Sequence, residues 1–476
     1  MGAATSITAA PPELPDLLAL WLPAQRWFAG KGRDFVVEEM SALGILTERP
    51  WRSDVWLVRV RYRDSATETY QVPLVRRPEP ADQVSHVLVG ETPDPDYGGR
   101  SWWYDALHDK EVTGAWLTGI AEGRKEGLLG FVPGSHPEEL PLDATSLVIT
   151  GEQSNTSLVF DDAAILKVFR RVYVGRNPDI EVHRALSELE GGARHVARLL
   201  GHVEAHWSQP DGSPAEADLA MLQEYFRTAT DGWELAKISV RDLYAEADLH
   251  ASEVGGDFAG EAFRLGQATA EVHADLARAL PTGTLGAAAL TARAGQMQQR
   301  LDDALAVVPE LEDYAGGLRE AFRALGAHQP GVPVQRVHGD YHLGQVLRTS
   351  HRWVVLDFEG EPAKPLSERT GLDSPVRDLA GLLRSFDYAA RHLLADHPFE
   401  PQLAYRADEW AARNRDAFLD GYVDAGGPDP REDPGLLHAY EADKAVYEAV
   451  YEARNRPSWL PIPLASLARL IEGARS

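Results

Sequence analysis

The sequence predicts an α+β chain: a β-rich N-terminal segment, a β-rich lobe with one helix, and a helical lobe interrupted by a strand-rich island. Three observations predict it. Apolar residues alternate at period two across residues 56–74, and short β-like apolar runs recur between 147 and 169. Helical spacing dominates beyond residue 238. The strand patterns precede the helical ones instead of alternating with them, which separates α+β from α/β.

Element by element, Leu14, Leu17, Leu18, Trp21 and Leu22 recur at helical spacing. Trp56, Val58, Val60 and Tyr62 face one side of a strand, Asp64-Ser65-Ala66 turns the chain, and Tyr70, Val72 and Leu74 return as a hairpin. Residues 102–123 read as helix, and the Pro-rich stretch 131–143 as a linker. Strands are expected at 147–149, 157–160, 164–169 and 221–226, a helix from Pro178 to about Leu189, and a polar loop at 208–217. Leu265, Thr269, Val272, Leu276 and Leu280 mark a helix face, the island spans 334–357, and a last long helix spans 434–455 before Pro457. The expected divisions are 1–130, an N-terminal cap; 131–226, a β-rich lobe ending in a hinge strand; and 227–476, a helical lobe.

Of 476 residues, 44% are hydrophobic and 25% charged, which excludes a disordered chain, a collagen and a coiled-coil rod. With 0 Cys there is no disulfide framework, thiolate catalysis or Cys-based metal site. No run of 18 apolar residues suits a membrane span, and the N-terminus has no basic region or clear cleavage site, so the cytoplasm is the expected compartment. A net charge of −26 opposes nucleic-acid and anionic-lipid partners, yet a local basic site still admits a nucleotide.

The island carries the chemistry. Val337-His338-Gly339-Asp340-Tyr341-His342-Leu343-Gly344-Gln345 is followed, seventeen residues after Asp340, by Asp357 in Asp357-Phe358-Glu359-Gly360-Glu361. Phosphoryl transfer needs a carboxylate to orient and deprotonate a hydroxyl, oxygen ligands for Mg²⁺, and a cation on the nucleotide phosphates. Asp340 precedes Gln345 by five residues, as a kinase catalytic Asp precedes its amide metal ligand, and Asp357 follows an apolar strand. Gln345 stands where Asn is usual, but an amide oxygen remains a hard ligand suited to Mg²⁺. Lys167, flanked by apolar residues, fits the strand lysine that contacts phosphates, and Glu181 is its expected ion-pair partner, with Glu188 the competing acid. Ahead of it, Gln153, Ser154, Asn155, Thr156 and Ser157 offer small polar groups to cover phosphates in place of a glycine-rich loop. His338 and His342 do not suggest zinc, because no HEXXH pattern occurs.

These segments resemble the actinobacterial maltokinase family. The resemblance runs through EQSNTS, ILKVFRR with NPDIE, VRDLYAEADLHASEVGGDFAGE, VHGDYHLGQVLR, DFEGEPAKPLSER and DKAVYEAVYEARNRPSWLPIPL, and the opening WLPAQRWFAGK resembles that family's N-terminal cap. It implies a bilobal protein-kinase-like fold with a cap subdomain. It also implies ATP-dependent phosphorylation of maltose at the anomeric hydroxyl, in a pathway with trehalose synthase upstream and a maltosyltransferase downstream. By the same resemblance Asp340 is the base, Gln345 and Asp357 hold Mg²⁺, Lys167 and the 153–157 segment bind ATP, and Gln223, Glu224 and Tyr225 form the nucleotide-binding hinge.

A disaccharide needs planar hydrogen-bonding groups and aromatic faces. Lys444, Tyr447 or Glu448, and Tyr451 share one face of the last long helix, Trp459 follows it, and His342 and Arg384 join the candidate sugar contacts. Two alternatives stay open: a kinase of another sugar or amino sugar, such as glucosamine or an aminoglycoside, and a non-catalytic pseudokinase. The second conflicts with the presence of Lys167, Asp340, Gln345 and Asp357.

Overall fold

The computed structural model describes residues 10–473 except 95–98, 150–153, 210–211, 247, 330, 362–363 and 396–399. They form two compact units, one holding the residues through His183 together with Ala197–Arg227, the other Arg184–Val196 with the residues from Thr228 onward. Among the described residues no helix is long and apolar enough to cross a membrane.

The first unit is built on two antiparallel sheets. Helix α1 (Leu14–Trp21) precedes β1 (Phe35–Thr47), β2 (Ser53–Tyr62), β3 (Thr67–Arg77), β4 (Leu88–Asp94) and β5 (Gly99–Asp105), which pair in the order β1-β2-β3-β5-β4. The expected hairpin is β2–β3, with Trp56 opposite Val72 and Val58 opposite Tyr70. Its apolar face packs with Leu14, Leu18, Trp21, Trp27 and Phe28. Helix α2 (Lys110–Glu122) then leads to β6 (Lys125–Glu126), β7 (Leu129–Pro133), β8 (Ser146–Ile149), β9 (Asn155–Phe160), β10 (Ala164–Phe169), α3 (Pro178–Ser187), β11 (Leu199–Ser208) and β12 (Pro214–Glu224). The second sheet runs β6-β7-β11-β12-β10-β9-β8. One apolar core joins both sheets: Leu43 and Leu57 from the first, Trp116 and Ile120 from α2, and Leu158, Leu166 and Leu222 from the second.

Three expectations are corrected here. The helix expected at 102–123 starts at Lys110, because Trp102-Trp103-Tyr104 belongs to β5 and Asp109 caps the helix by accepting from Glu111 N. The linker expected at 131–143 begins as strand: Leu129 and Phe131 are buried and β7 pairs with β11. The loop expected at 208–217 narrows, because Ala215 and Ala217 already pair with Trp207 and Ala205.

The second unit is mostly helical. It contains β13 (Thr230–Asp231), α4 (Gly232–Ala245), α5 (Ala259–Ala279), β14 (Thr282–Leu285), α6 (Ala287–Leu305), α7 (Glu312–Gly326), β15 (Val332–Gln335), β16 (Val346–Arg348) and β17 (Trp353–Val355). The helices α8 (Leu366–Arg369), α9 (Val376–Arg391), α10 (Pro401–Asp424), α11 (Pro434–Asn455) and α12 (Pro461–Gly473) complete it. The expected island is real but split: β16 pairs with β13 and β17, while β15 pairs with β14. Between them the chain makes the turn that holds Asp340.

Candidate active site

The turn at 338–340 depends on Gly339, whose φ of +85° is a conformation that side-chain-bearing residues rarely adopt. Two neighbours on α9 hold it. Asp378, 1% exposed, accepts the amides of His338 at 2.7 Å and Gly339 at 2.9 Å, and the His273 ring at 3.1 Å. Arg377 donates to the Gly339 carbonyl at 2.9 Å. The helix comes this close because of Gly381: a Cβ there would stand 2.6 Å from the Tyr341 carbonyl oxygen. The His338 ring bonds the Leu356 carbonyl at 2.7 Å, tying the turn to the end of the β16–β17 hairpin. Asp340 is thereby carried on a backbone fixed by buried, charge-assisted hydrogen bonds.

Asp340 faces a cavity of about 290 Å³ within the second unit, bordered also by Glu361, Asp373, Asp443, Lys444 and Tyr447. Lys444, from the middle of α11, places its ammonium 3.2 Å from Asp340 Oδ1 and 3.2 Å from Glu361 Oε1. Burial pushes the Asp340 carboxyl up, but Lys444, joined by His342, outweighs it and holds the group below the ordinary aspartate value. Glu361 is likewise raised by burial but drawn down to about 2 by Lys444, Lys364 and Arg377. Burial opposes the charge of Lys444, yet Asp340 and Glu361 together raise its pKa above the usual lysine range. All three groups are charged near neutrality.

Two more acids of the cavity are also matched, while Glu368, which also lines it, is exposed. Asp373 accepts from Arg293 at 2.6 Å and from the Tyr440 hydroxyl at 2.7 Å, and Arg300 grips Asp443 at 2.7 and 2.8 Å.

Gln345 and Asp357, expected as metal ligands, meet in the structure: the Gln345 side-chain NH2 donates to Asp357 Oδ2 at 3.3 Å. An amide and a carboxylate brought together supply the hard oxygen donors that Mg²⁺ prefers, so this pair fits the ion.

The first unit holds the expected nucleotide residues. Lys167 on β10 sits opposite Ser157 on β9. The buried carboxylate beside it is Asp179, at 3.6 Å, whereas Glu181 is exposed on the same helix. The expectation of Glu181, with Glu188 as its competitor, is corrected to Asp179, which spacing along the sequence did not single out and burial does. Gln153 lies outside the described residues, and only Ser154 of the rest precedes the strand. Asn155, Thr156 and Ser157 are part of β9, where Thr156 and Ser157 are buried and the Thr156 hydroxyl accepts from Arg170 at 2.8 Å. The expected covering loop is thus largely strand. At the expected hinge, Gln223 is buried, and the amides of Glu224 and Tyr225 already donate to the carbonyls of Arg198 and Ala163.

The expected sugar contacts divide. Lys444 and Tyr447 line the Asp340 cavity. Arg384 and Glu448 do not: they pair with each other at 2.7 Å, with Arg384 also bound to Asp387, because a buried guanidinium requires carboxylate partners. His342 accepts the Gly344 amide and caps the short turn ending at Gln345. Tyr451 and Trp459 both stack against Arg456, at 5.5 and 4.3 Å from ring centre to guanidinium carbon, and Trp459 is outside the cavity lining. Sequence reasoning left Glu361 and Asp378 unassigned. Glu361 stood in the DFEGE motif without a role, and Asp378 acts on a turn 38–40 residues away, beyond any local spacing signal.

Comparisons with known proteins bear on both units. A maltokinase N-terminal cap domain matches residues 21–109, and the phosphotransferase enzyme family matches residues 149–436. A glucosamine kinase of Streptacidiphilus jiangxiensis is 30% identical over 342 residues, covering 68% of this chain and 74% of its own. One of Mycolicibacterium smegmatis is 29% identical over 348 residues, covering 69% and 80%. A solved glucosamine kinase in complex with glucosamine, ADP and inorganic phosphate shares the fold with a TM-score of 0.68 at 24% identity, over 97% of this chain and 100% of that one.

Proposed function

Since the chain belongs to the phosphotransferase enzyme family, we propose that it transfers the γ-phosphoryl group of ATP to the anomeric hydroxyl of maltose, giving maltose 1-phosphate and ADP. The sugar oxygen attacks the γ-phosphorus, the bond to the ADP oxygen breaks, and Asp340 takes the hydroxyl proton. Asp340 suits this task because Lys444 and His342 keep it ionised inside a largely buried site. Gln345 and Asp357 are the residues that would hold Mg²⁺, which when bound neutralises phosphate charge. Lys167, braced by Asp179, is the candidate phosphate cation.

The observation that carries the choice of a neutral sugar is the charge pairing of the cavity's less exposed acids, Glu368 being the exposed one. Asp340, Glu361, Asp373 and Asp443 each already face a cation of the protein. An acceptor bearing only hydroxyls uses such alternating donors and acceptors without adding charge. Tyr447 adds an aromatic face, and the match to a maltokinase cap supports the same reading. Trehalose isomerisation upstream and maltosyl transfer downstream are the proposed neighbours of this reaction.

A second reading, glucosamine as acceptor, is favoured by the names of the two relatives. Incubation with ATP, Mg²⁺ and a panel of maltose, glucose and glucosamine, with the product identified by NMR, separates them. Phosphorylation of maltose at the anomeric oxygen is expected. A higher kcat/KM for glucosamine than for maltose refutes the maltose reading.

A further inference from the structure

The ammonium of Lys444 lies between two acids that reach it from separate segments, Asp340 on the catalytic turn and Glu361 beyond β17. Glu361 has two further cations, Lys364 at 2.6 Å and Arg377 at 3.7 Å. Among the described residues, the ion pair of Asp340 is with Lys444. The Lys444 side chain is only 18% exposed, so this pair is little screened by water.

An amino sugar brings its own ammonium to the acceptor site. Held close to the base, that ammonium needs a carboxylate not already neutralised, because a buried unpaired charge is costly. In this cavity the position is filled from within. We propose that Lys444 is a specificity-determining residue that excludes amino sugars: its side-chain ammonium takes the place between Asp340 and Glu361 that a substrate ammonium requires, and repels any second cation. Discrimination of this kind works through an unfavourable contact with the wrong substrate. The inference rests on the sugar-kinase reading above and deepens it.

The test compares glucose with glucosamine, which differ in one substituent, so that losses common to both sugars cancel in the ratio. The full chain, Lys444→Met, Lys444→Arg and the double variant Lys444→Met/Glu361→Gln are assayed with ATP and Mg²⁺ at a pH where the amine is protonated. Thermal melting establishes that each is folded, and Lys444→Gln replaces Lys444→Met if the latter is not. The glucosamine-to-glucose ratio of kcat/KM rises at least about tenfold in Lys444→Met, stays near the unaltered value in Lys444→Arg, and falls back in the double variant. Where turnover is too slow to measure, the ratio of calorimetric binding constants for the two sugars is read instead. A folded Lys444→Met with an unchanged ratio overturns the inference, as does an equal rise in Lys444→Arg, which would make shape rather than charge the determinant. If the unaltered protein phosphorylates none of maltose, glucose or glucosamine, the sugar-kinase reading falls with it. Transfer with an unchanged ratio overturns this inference alone.

Discussion

Replacing Asp378 by Asn tests the claim that a buried carboxylate on α9 holds the turn that carries Asp340. The native group accepts the His338 amide at 2.7 Å, the Gly339 amide at 2.9 Å and the His273 ring at 3.1 Å. Asn keeps the shape but turns one oxygen into a donor, so at least one buried N–H faces another N–H. Loss of a charge-assisted hydrogen bond plus a stranded donor costs about 3–5 kcal/mol. Against a total stability of about 5–15 kcal/mol this is large. At about 2–4 °C per kcal/mol, the melting temperature drops by roughly 10 °C, read by calorimetry on the full chain. A turn displaced by about 1 Å costs on the order of 100-fold in kcat, with ATP binding little changed. The effect also has a pH signature. Burial pushes the Asp378 carboxyl up, but its bond to His273 outweighs this and holds it below the ordinary value. A depressed folded pKa gives stability that is present above the unfolded value, about 3.9, and is lost as pH falls through the folded one. The gap between native and Asn variant therefore narrows in acid. Melting temperatures within about 2 °C of each other at neutral pH, with kcat within about threefold, would refute the reasoning and leave Arg377 as the clamp.

Three further outcomes are expected. Asp340→Asn lowers kcat by about 10²–10⁴-fold while ATP affinity, measured by calorimetry, stays near the unaltered value. Asp357→Ala abolishes turnover at every Mg²⁺ concentration, whereas Gln345→Ala recovers part of it in excess Mg²⁺ or Mn²⁺; equal tolerance of the two changes places the metal elsewhere. Asp105→Ala strands the guanidinium of Arg170, both side chains being within 1% of full burial, and costs about 3–5 kcal/mol in thermal or denaturant unfolding.

Much of this was legible in the sequence because the relevant signals are local. The β2–β3 hairpin follows from period-two alternation, and Asp340, Gln345 and Asp357 lie within one short stretch whose hairpin brings the last two together. The less legible parts depend on long-range pairing. Gly90, opposite Trp103, and Gly201, opposite Leu222, sit at irregularities in β4 and β11 where alternation is lost. Asp179 and Glu181 have the same charge two positions apart, and only the packing of α3 decides which is buried beside Lys167. Arg384 and Glu448 look like ligands from their residue types, yet they satisfy one another across α9 and α11. Helical spacing named the face of α11 that carries Lys444 and Tyr447 but could not say where along it the cavity stops, which is short of Tyr451.

The pair between Asp105 and Arg170 has a consequence for descent. Arg170 bonds Asp105 on β5 and, through its other edge, Thr156 on β9, while Gln71 on β3 reaches the carbonyls of Phe169 and Leu219. The two family matches end at residue 109 and resume at residue 149, so a recombination breakpoint between them parts Asp105 from Arg170. A daughter chain that inherits a foreign N-terminal segment receives one half of a buried charge pair and must find the other in the same event. Exchange of the N-terminal segment alone is therefore destabilising unless the incoming segment carries an acid where Asp105 stands.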